Sequence, residues 1–532
     1  MSKKNTDNAI DAPIYLLKKN GIKYTEEYLS EQLQTHPFYP SLAAISDVFA
    51  TYHIESDAYK ISFSDLTDVK TPFIAHLNID NGIFIVIEKV TDSGVFFHYQ
   101  DSRLKKIQKE DFLNVWDNII FQIKTSSISE EPGYIKHNRE RQIEKFKIPA
   151  LVSVVSFLFL FFVLTKPSLV FLIPLFLVKI SGLLIAILLI KEEMGYQSKI
   201  ADKLCTMSKS AGCNEVLNSK AAKLLANVSL ADVGLVWFIT SLLYLCFISF
   251  ISINAPTLNL LGWLAVCAIP MILFSISYQI FVVKKYCPLC LGVMLMLAVE
   301  AVLFFTVYNF RFQLPQISEI LLMCALLCIV ASAWFELKKL LKKNALLQES
   351  EISYLHLKRQ PAIIASQLSE SSEIDISRFP APIHLTNNNS NFILTEVINL
   401  YCSPCKRTFE KIKHLIENTY EGAIDLQVIL LSNYDNPEDI ITKTAAHLIA
   451  LAEQQSVDLV KRALFDWFDL LDYHAWSEKY SATIEEQHFE LLKKHAIWFN
   501  ENKMEGTPVS ILNNKIIPYI IDIEDINYII ND

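Results

Sequence analysis

The sequence predicts a multi-domain integral membrane protein. It would consist of an N-terminal α+β domain, an all-α transmembrane bundle of about six helices and a C-terminal α/β domain. The chain has 532 residues, which is too many for one hydrophobic core. Its hydrophobic fraction is 52% and its mean hydropathy is +0.29, whereas charged residues make up only 20%. Apolar stretches are concentrated in the middle of the chain, and the net charge of -9 gives no basic surface for nucleic acid.

The N-terminal segment, residues 1–135, reads as a soluble domain of mixed helices and strands. Short helices are predicted first, followed by strands rich in β-branched and aromatic residues. The runs 73–77 and 83–87 are two of these strands, and Asn81 and Gly82 between them predict a hairpin turn. The first ten residues are polar and contain no signal-peptide core.

The middle segment, residues 136–345, is predicted to be the transmembrane domain. It opens with a basic cluster at 136–147, after which six apolar stretches are each long enough to cross roughly 30 Å of hydrocarbon. The predicted spans are 148–165, 169–190, 230–253, 258–283, 287–309 and 318–337. Lys179 is a charge inside the second span, so we expect it to reach the interface or to face the bundle interior.

A linker at 346–381 is predicted to lead into a second soluble domain at 382–532. The alternation of strands and helices in this domain is typical of an α/β fold. Its predicted elements are a strand at 392–400, a helix at 406–418, a strand at 428–431, a helical region at 440–500 and a strand from 508.

The ten cysteines are too few for a disulfide scaffold, so their positions matter more than their number. Six of them form three pairs, and each pair follows an even-numbered predicted span. These pairs are Cys205 and Cys213, Cys287 and Cys290, and Cys402 and Cys405. Because even-numbered crossings return a chain to the same side, we expect all three pairs on one face of the membrane. Three dithiols on one face can pass electrons by disulfide exchange.

Cys402 and Cys405 form a CxxC motif between a predicted strand and a predicted helix. A helix N-terminus stabilises a thiolate, so Cys402 should be the exposed nucleophile and Cys405 the thiol that resolves mixed disulfides. A zinc site would need a second ligand pair. The domain contains no second CxxC and no paired histidines, so no metal is expected.

This C-terminal domain resembles the thioredoxin-like, Dsb-type disulfide oxidoreductases over about 150 residues. The resemblance implies the thioredoxin fold, with residues 440–500 as the helical insertion typical of that group. It also implies that Thr507 and Pro508 form a cis-proline dipeptide that lies against the active cysteines.

A second CxxC motif, Cys287 to Cys290, stands at the start of an apolar span. Cys205 and Cys213 lie in the loop after the second span, and Ser219 follows them. This arrangement resembles the vitamin K epoxide reductase family, including its bacterial members. That family has a loop cysteine pair, a serine after it and a CxxC on the fourth helix of a bundle.

The resemblance implies a role for each cysteine in a relay. Cys290 would sit beside a quinone, either menaquinone or ubiquinone, and deliver electrons to it. Cys287 would exchange with Cys213, and Cys205 would accept electrons from Cys402.

The same resemblance matches Ser219 to a serine near the quinone head group. The family's vertebrate enzyme has a tyrosine four residues after its CxxC, and this chain has Met294 there. The remaining cysteines lie within apolar spans and are expected to be small buried hydrophobic residues. They are Cys246, Cys267, Cys324 and Cys328.

The N-terminal domain resembles the papain-like double-glycine leader peptidases found on bacteriocin exporters, over about 125 residues. The matching segments are 40–44, 72–77, 81–86 and 100–102. The family needs a nucleophilic Cys and a general-base His. No Cys precedes Cys205, Ile83 replaces the His of the Asn-Gly-His pattern, and only Asp101 of the triad remains. We therefore expect a degenerate, non-cleaving domain that binds peptides.

Two residues could be proposed as substitutes for the lost catalytic groups, Ser41 and His36. Ser41 precedes a predicted helix and is expected to cap it instead. His76 alternates with apolar strand residues and is expected to be structural.

The predicted function is that of a quinone-dependent thiol oxidase that forms disulfides in exported proteins. Its partners would be exported cysteine-containing proteins or peptides, membrane lipid and the quinone pool. Two alternatives remain open. One is a peptidase or peptide-binding component of a peptide secretion system with an accessory redox module. The other is a reductive isomerase that runs the same relay backward.

The predicted location is the bacterial inner membrane, with the redox domains on the periplasmic side. An excess of Lys and Arg normally marks cytoplasmic loops, and here it shares the cysteine-bearing face. The residues concerned are the 136–147 cluster, Lys284, Lys285, Lys338, Lys339, Lys342 and Lys343. Net disulfide formation suits an oxidising compartment, and we prefer the periplasm for this reason.

Overall fold

The computed structural model divides the chain into two compact units. The segment Ile135–Glu349 forms one unit, and the described residues up to Tyr134 and from Ser350 form the other. The residues that the structure describes are 8–79, 82–99, 101–165, 167–195, 216–217, 219, 223–225, 228–251, 255–308, 313–376, 383–386, 389–419 and 422–530.

The N-terminal domain is a six-stranded antiparallel sheet with helices packed on it, which confirms the predicted α+β class. Its helices are α1 (Asn8–Lys19), α2 (Glu26–Thr35), α3 (Leu42–Thr51) and α4 (Lys109–Val115). Its strands are β1 (Glu55–Lys60), β2 (Phe73–Leu77), β3 (Ile83–Thr91), β4 (Gly94–Tyr99), β5 (Asp101–Gln108) and β6 (Trp116–Lys124), in the order β1-β6-β2-β3-β4-β5.

Alternation along the strands gives this sheet an apolar core on each face. Ile74 and Val86 belong to the core under α1, α2 and α3, whereas Phe73 and Ile85 belong to the core on the opposite face with Phe112 of α4.

The membrane unit is built from helices. They are α5 (Tyr134–Thr165), α6 (Ile173–Glu193), α7 (Leu230–Ile251), α8 (Ala255–Tyr278), α9 (Pro288–Thr306) and α10 (Ile317–Lys358). Before α7, β7 (Lys223–Leu225) and β8 (Val228–Ser229) form a short antiparallel pair. Among the described residues, five helical stretches, all those after α5, are long and apolar enough to cross a membrane. The other predicted span, 148–165, is the second half of α5.

Two groups of charged side chains inside the bundle form ion pairs. Lys179 on α6 and Glu300 on α9 are buried, and Lys179 Nζ lies 2.5 Å from Glu300 Oε1. Lys179 therefore faces the bundle interior, which was one of its two predicted positions. Lys338 on α10 lies 2.6 Å from Asp232 on α7 and 3.0 Å from Glu193 on α6. A buried charge that loses its partner costs roughly 3–5 kcal/mol, so these pairs restrict how the helices can pack.

Two helices occupy much of the segment 346–381, the predicted linker. α10 continues to Lys358, and α11 (Pro361–Glu370) follows after two residues. Ile364 and Leu368 of α11 are buried in the core of the C-terminal domain. These two residues are four positions apart, so they lie on one face of α11.

The C-terminal domain has the predicted thioredoxin fold. Its strands are β9 (Ile383–His384), β10 (Phe392–Ile398), β11 (Ile424–Leu430), β12 (Val509–Leu512) and β13 (Lys515–Ile516), in the order β13-β12-β10-β11-β9. Its helices are α12 (Ser403–Asn418), α13 (Ile440–Gln454), α14 (Val457–Leu470), α15 (Tyr473–Lys479), α16 (Glu486–Glu501) and α17 (Asn527–Ile530). β10 and β11 are parallel and are connected by α12, while β12 pairs antiparallel with β10.

The helices α13 to α16 lie between β11 and β12 in the chain, as the predicted helical insertion does. They pack into the same core as β10 and β11. Trp467 and Trp476 are fully buried there, and Trp467 Nε1 donates a hydrogen bond to the carbonyl of Leu400 (2.9 Å). Leu400 directly precedes the active CxxC segment, so the insertion supports the strand end that carries it.

The N-terminal and C-terminal domains contact each other within their shared unit. Arg359 bridges them, because its Nη1 donates to Thr35 Oγ1 (2.7 Å) and its Nε donates to Asp525 Oδ1 (3.0 Å). His36 packs edge-on against Tyr528, with ring centroids 5.1 Å apart. His36, considered above as a substitute catalytic group, is thus buried in an interdomain contact.

Candidate functional site

The membrane CxxC motif stands at the N-terminus of α9. Cys287 caps the helix, and its Sγ accepts a hydrogen bond from the backbone N–H of Cys290 (3.2 Å). Pro288 occupies the first turn, where its missing N–H costs nothing. The backbone N–H of Cys287 donates to the side-chain Oε1 of Gln279 (2.9 Å), which fixes the residue before the helix. Cys287 is buried and Cys290 is half-buried.

An apolar cavity of about 280 Å³ adjoins this motif, between α6, α7, α8 and α9. Cys290 and Met294 form part of its wall, and so do Ser219 and Gln279. Most of the other lining residues are Leu, Val, Ala, Met and Phe. Small-molecule sites are mostly apolar, with a few polar groups that orient the ligand. The cavity therefore suits a lipophilic molecule next to Cys290.

Two of the predicted site residues lie outside the described residues. These are Cys205 and Cys213, the loop pair. Ser219 follows them, and its Oγ donates a hydrogen bond to the carbonyl of Val216 (2.7 Å). The structure thus places Ser219 and Cys290 at one cavity.

The four remaining cysteines are not all buried, so that expectation was wrong. Cys267, Cys324 and Cys328 are exposed at the protein surface, and Cys246 is half-buried. The physical reason is that lipid is as apolar as a protein core, so a small apolar residue in a membrane span can face lipid at no cost. Cys267 also borders the cavity.

The C-terminal CxxC motif has the same helix-capping geometry. Cys402 caps α12, and its Sγ accepts a hydrogen bond from the backbone N–H of Cys405 (3.4 Å). The Cys402 thiol lies 3.3 Å from the carbonyl oxygen of Thr507, to which it can donate. The peptide bond between Thr507 and Pro508 is cis. Cys405 is fully buried, whereas Cys402 is partly exposed.

These surroundings separate the pKa values of the two thiols. Burial opposes ionisation of Cys402, but hydrogen bonds from the Cys405 thiol and backbone, together with the charge of Arg407, outweigh it and lower the Cys402 pKa. Burial, and then the hydrogen bond to Cys402, raises the pKa of Cys405 to about 12. Cys402 is therefore the thiolate of the pair, and a thiolate is the form of cysteine that acts as a nucleophile.

We expect Cys402 to react with iodoacetamide at about neutral pH in the reduced full-length protein, while Cys405 stays unmodified. The reason is that only a thiolate attacks the reagent, and the Cys402 pKa is lowered. Mass spectrometry of the CxxC peptide after timed alkylation at several pH values measures this. In Cys402→Ser the peptide should remain unlabelled. Equal labelling of both thiols at every pH would contradict the assignment.

A buried carboxyl group, Glu396, was not recognised from the sequence. It lies on β10, six residues before Cys402, and is completely buried. Alternation along the strand places it on the same face as Leu394 and Ile398, which share a core with Cys405. Burial raises the pKa of Glu396 to about 8, and Ser510 on the neighbouring strand partly opposes this increase. One acidic residue inside an otherwise apolar strand was the signal that could have identified it.

In the N-terminal domain, the residues singled out from the sequence lie in different structural elements. Ser41 caps α3 as expected, because its Oγ accepts a hydrogen bond from the backbone N–H of Ala44 (3.1 Å). His76 on β2 pairs with the carboxylate of Asp117. Ile83 begins β3, at the place where the peptidase pattern has its His. Asp101 begins β5, and its side chain is outside the described residues.

Two family models match the chain. The Peptidase C39 family model matches residues 2–127. The vitamin K epoxide reductase family model matches residues 173–308. Comparison with curated proteins gave no match.

Solved structures are similar to the two soluble domains. One is the peptidase domain of Streptococcus ComA, a bi-functional ABC transporter involved in a quorum sensing pathway, at 17% identity, covering 24% of this chain and 96% of that one, with a TM-score of 0.21. Another is oxidised BdbD from Bacillus subtilis, at 14% identity, covering 30% and 95%, with a TM-score of 0.24. The catalytic domain of Proteus mirabilis ScsC is similar at 12% identity, covering 32% and 96%, with a TM-score of 0.26.

The matches agree with the arrangement of domains described above. Residues 173–308 contain the cavity and the membrane CxxC motif, and the thioredoxin fold carries the second CxxC motif. Together these two parts constitute a disulfide oxidoreductase module. The chain thus joins a domain that matches the Peptidase C39 family model and a membrane domain that matches the vitamin K epoxide reductase family model to a C-terminal domain with the thioredoxin fold.

Proposed function

We propose that this protein is a membrane thiol oxidase that forms disulfides in exported proteins and passes the electrons to a quinone. Electrons travel from Cys402 and Cys405 through the loop pair to Cys287 and Cys290. The clients are exported cysteine-containing proteins or peptides. The vitamin K epoxide reductase match and the thioredoxin fold support the redox module, and the electron route through it is our inference.

The observation that carries the proposal is the apolar cavity with Cys290 in its wall. A helix N-terminal CxxC motif alone is compatible with many thiol–disulfide reactions. An apolar cavity of about 280 Å³ that meets the second cysteine adds room for a lipophilic electron acceptor. The cavity is formed by membrane-spanning helices, so a ligand from the lipid phase is a natural occupant.

The first step is oxidation of a client dithiol at the C-terminal domain. A client thiolate attacks Cys402 of the Cys402–Cys405 disulfide, the S–S bond breaks, and Cys405 leaves and takes up a proton. The second client thiolate attacks the client sulfur of the mixed disulfide and releases Cys402, whose low pKa makes it a good leaving group. The client loses two electrons and two protons, and the domain gains them as a dithiol.

Two further exchanges carry the electrons toward the membrane motif. In the first, the Cys402 thiolate attacks Cys205, and the partner thiols complete the exchange, so that the loop disulfide becomes a dithiol. In the second, Cys213 attacks Cys287, the loop disulfide re-forms, and Cys290 is released as a thiol at the cavity. Each exchange breaks one S–S bond and forms another, and the reduction potentials set its direction.

When bound in the cavity, menaquinone or ubiquinone supplies the acceptor for the two electrons and two protons that Cys287 and Cys290 release as their disulfide re-forms. Cys290 and Ser219, which line the cavity, would contact its head group, and the apolar lining would disfavour water. Gln279 holds the backbone of Cys287 and so keeps the start of α9, and with it Cys290, at the cavity wall.

We infer that the N-terminal domain binds peptides without cleaving them. No cysteine precedes Cys205, and Ile83 replaces the expected His, so the residues of a cysteine peptidase are missing. The competing proposal is a peptidase or peptide-binding component of a secretion system, which the Peptidase C39 match makes worth testing. Proteolysis that survives Cys402→Ser but requires residues 1–135 would favour it.

We place the protein in the bacterial inner membrane, with its redox domains in the periplasm. The apolar helices support a membrane location. The periplasmic side is proposed because net disulfide formation requires an oxidising compartment.

The test is quinone reduction by the purified full-length protein, with a reduced dithiol peptide as client and menadione as acceptor. We expect the quinone absorbance to fall as peptide disulfide appears, with one quinone consumed per disulfide over many turnovers. Without quinone, oxidation should stop once the protein's own disulfides are used. Reduction of a disulfide peptide instead would favour the isomerase alternative. No multiple turnover with any quinone would contradict the proposal.

A further inference from the structure

A hydrogen-bond donor without an acceptor lies beside the proposed quinone cavity. Trp237 on α7 lines the cavity, and its Nε1 atom is buried. Within the part of the chain that the structure describes, no acceptor is in hydrogen-bond range of this N–H. The other buried indole of the bundle, Trp334, does have one, because it donates to Asp232 Oδ1 (2.9 Å). Nε1 has almost no exposed surface, so a ligand reaches it only when the side chains that cover it shift. A buried donor without an acceptor is unfavourable, so a ligand that supplies an acceptor there gains affinity.

The position of Trp237 is fixed by the packing of α7 on α6. Its neighbour Phe238 is completely buried, and its ring occupies the space above Gly182 of α6. A Cβ at Gly182 would collide with that ring, so only glycine permits this close approach. The rotation of α7 about its axis is therefore restricted, and the side of α7 that carries Trp237 stays at the cavity.

A buried cation lies over the indole ring. Lys179 Nζ is 4.7 Å from the ring centroid of Trp237, within the range of a cation–π interaction. Glu300 holds Lys179 in this place through the ion pair already described. A cation on the ring draws π-electron density away from the N–H group, which makes the N–H a stronger donor. Lys179 therefore both positions the indole and increases the polarity of its free donor.

We propose that the Trp237 Nε1–H group donates a hydrogen bond to a ketone oxygen of the quinone. This inference rests on the proposed function and adds a residue that orients the acceptor. Met294 stands where the vertebrate relative has a tyrosine, and a thioether cannot donate a hydrogen bond. Trp237 supplies a donor from a different helix instead.

The hydrogen bond acts in two ways. It fixes the direction in which the ring enters the cavity, because the donor lies on α7 whereas the reacting thiol lies on α9. It also stabilises the negative charge that develops on a ketone oxygen as electrons arrive, as preorganised donors do in other active sites. The indole keeps its proton, so Trp237 orients and stabilises but transfers nothing.

The test uses menadione bound to the full-length protein with Cys290→Ser, which prevents turnover. Infrared difference spectra with ¹³C in one ketone or the other give the two C=O stretching frequencies separately. We expect one ketone to absorb at a lower wavenumber than it does in an apolar solvent. If neither C=O stretching frequency of bound menadione is lowered, the inference is overturned, and this measurement needs no substitution of Trp237.

The matched substitution is Trp237→Phe, which keeps an aromatic ring and removes the N–H. We expect the shifted band to return to its apolar position and the affinity for menadione to fall about three- to tenfold. Trp263→Phe is the control, because Trp263 Nε1 already donates to the carbonyl of Gln313 (2.9 Å) and Trp263 does not line the cavity.

The outcomes separate this inference from the proposed function. An unchanged band and unchanged affinity in Trp237→Phe would overturn the role of Trp237 and leave quinone binding intact. Equal losses in Trp237→Phe and Trp263→Phe would also overturn it, because the effect would then be a general one on the bundle. Failure of the protein with native Trp237 to bind menadione at all would overturn the proposed function and this inference with it.

Discussion

Replacing Cys290 by alanine is expected to abolish quinone reduction by the full-length protein. Cys290 is the cysteine of the membrane motif that borders the cavity, and Cys287 lies at the capping position behind it. Without Cys290 the motif cannot form its own disulfide, so two electrons cannot leave the thiols together. The measurement is menadione absorbance with a reduced dithiol peptide, and the rate should fall to that of buffer.

The same variant should accumulate a specific covalent species. The Cys287 thiolate can attack Cys213 of the oxidised loop and release Cys205 as a thiol. With Cys290 absent, only Cys205 can break the mixed disulfide, and alkylation of its thiol preserves the bond. Non-reducing peptide mapping should therefore detect a Cys213–Cys287 disulfide in Cys290→Ala and not in the double variant that also lacks Cys213.

A suitable control is Cys324→Ala, since Cys324 lies on α10, is exposed and does not border the cavity. It should retain full turnover. Continued turnover in Cys290→Ala would show that the terminal electron donor has been assigned incorrectly.

The second large effect concerns Glu396 and the stability of the C-terminal domain. Burial raises the pKa of Glu396 from its ordinary value of 4.5 to about 8. Between these values the unfolded chain has released the proton while the folded domain still holds it. The folded state therefore binds more protons, and its free energy of unfolding falls as pH rises through this interval. At roughly 1.4 kcal/mol per pH unit, the loss is at most about 5 kcal/mol.

Glu396→Gln removes this titration and keeps a side chain of nearly the same shape. We expect its unfolding free energy to be nearly independent of pH in this interval, apart from changes that the native protein shares. The domain should therefore gain stability relative to the native protein as pH approaches about 8. Pulse proteolysis in urea, with detection of a C-terminal tag, follows this domain within the full-length protein.

The difference between the two proteins isolates Glu396, because other titrating groups contribute equally to both. If the urea midpoints of the native protein and of Glu396→Gln fall by equal amounts as pH rises, the pKa of Glu396 is not raised. The hydrogen bond from Ser510 partly lowers the pKa of Glu396. Replacing Ser510 should therefore raise slightly the pH at which the domain loses this stability.

Much of the fold could be predicted because its signals are local. The length of apolar stretches indicated the spans, and the runs of β-branched and aromatic residues at 73–77 and 83–87 indicated β2 and β3. The buried face of α11 inside the predicted linker was not apparent, because the burial of Ile364 and Leu368 depends on a core formed mainly by residues farther along the chain.

The candidate site was predictable only in part. Spacing along the chain identified the CxxC motifs, and helix capping followed from their position before α9 and α12. The buried surroundings of these motifs were not apparent. Gln279 lies eight residues before Cys287 in a different structural element, so no motif connects the two.

The sequence by itself determined the fold classes of the three parts of the chain and the spacing of the cysteines from which a redox function is proposed. These properties depend on the length of apolar stretches, the periodicity of apolar residues and the short spacing between cysteines. All three are features of residues that are close together in the sequence. Only the tertiary structure decided that Lys179 meets Glu300, 121 positions away, that Glu396 faces an apolar core, and that the Trp237 N–H has no acceptor among the residues that the structure describes. Each of these depends on which distant side chains exclude water, and burial rather than sequence position sets the energy of a charge or a free donor.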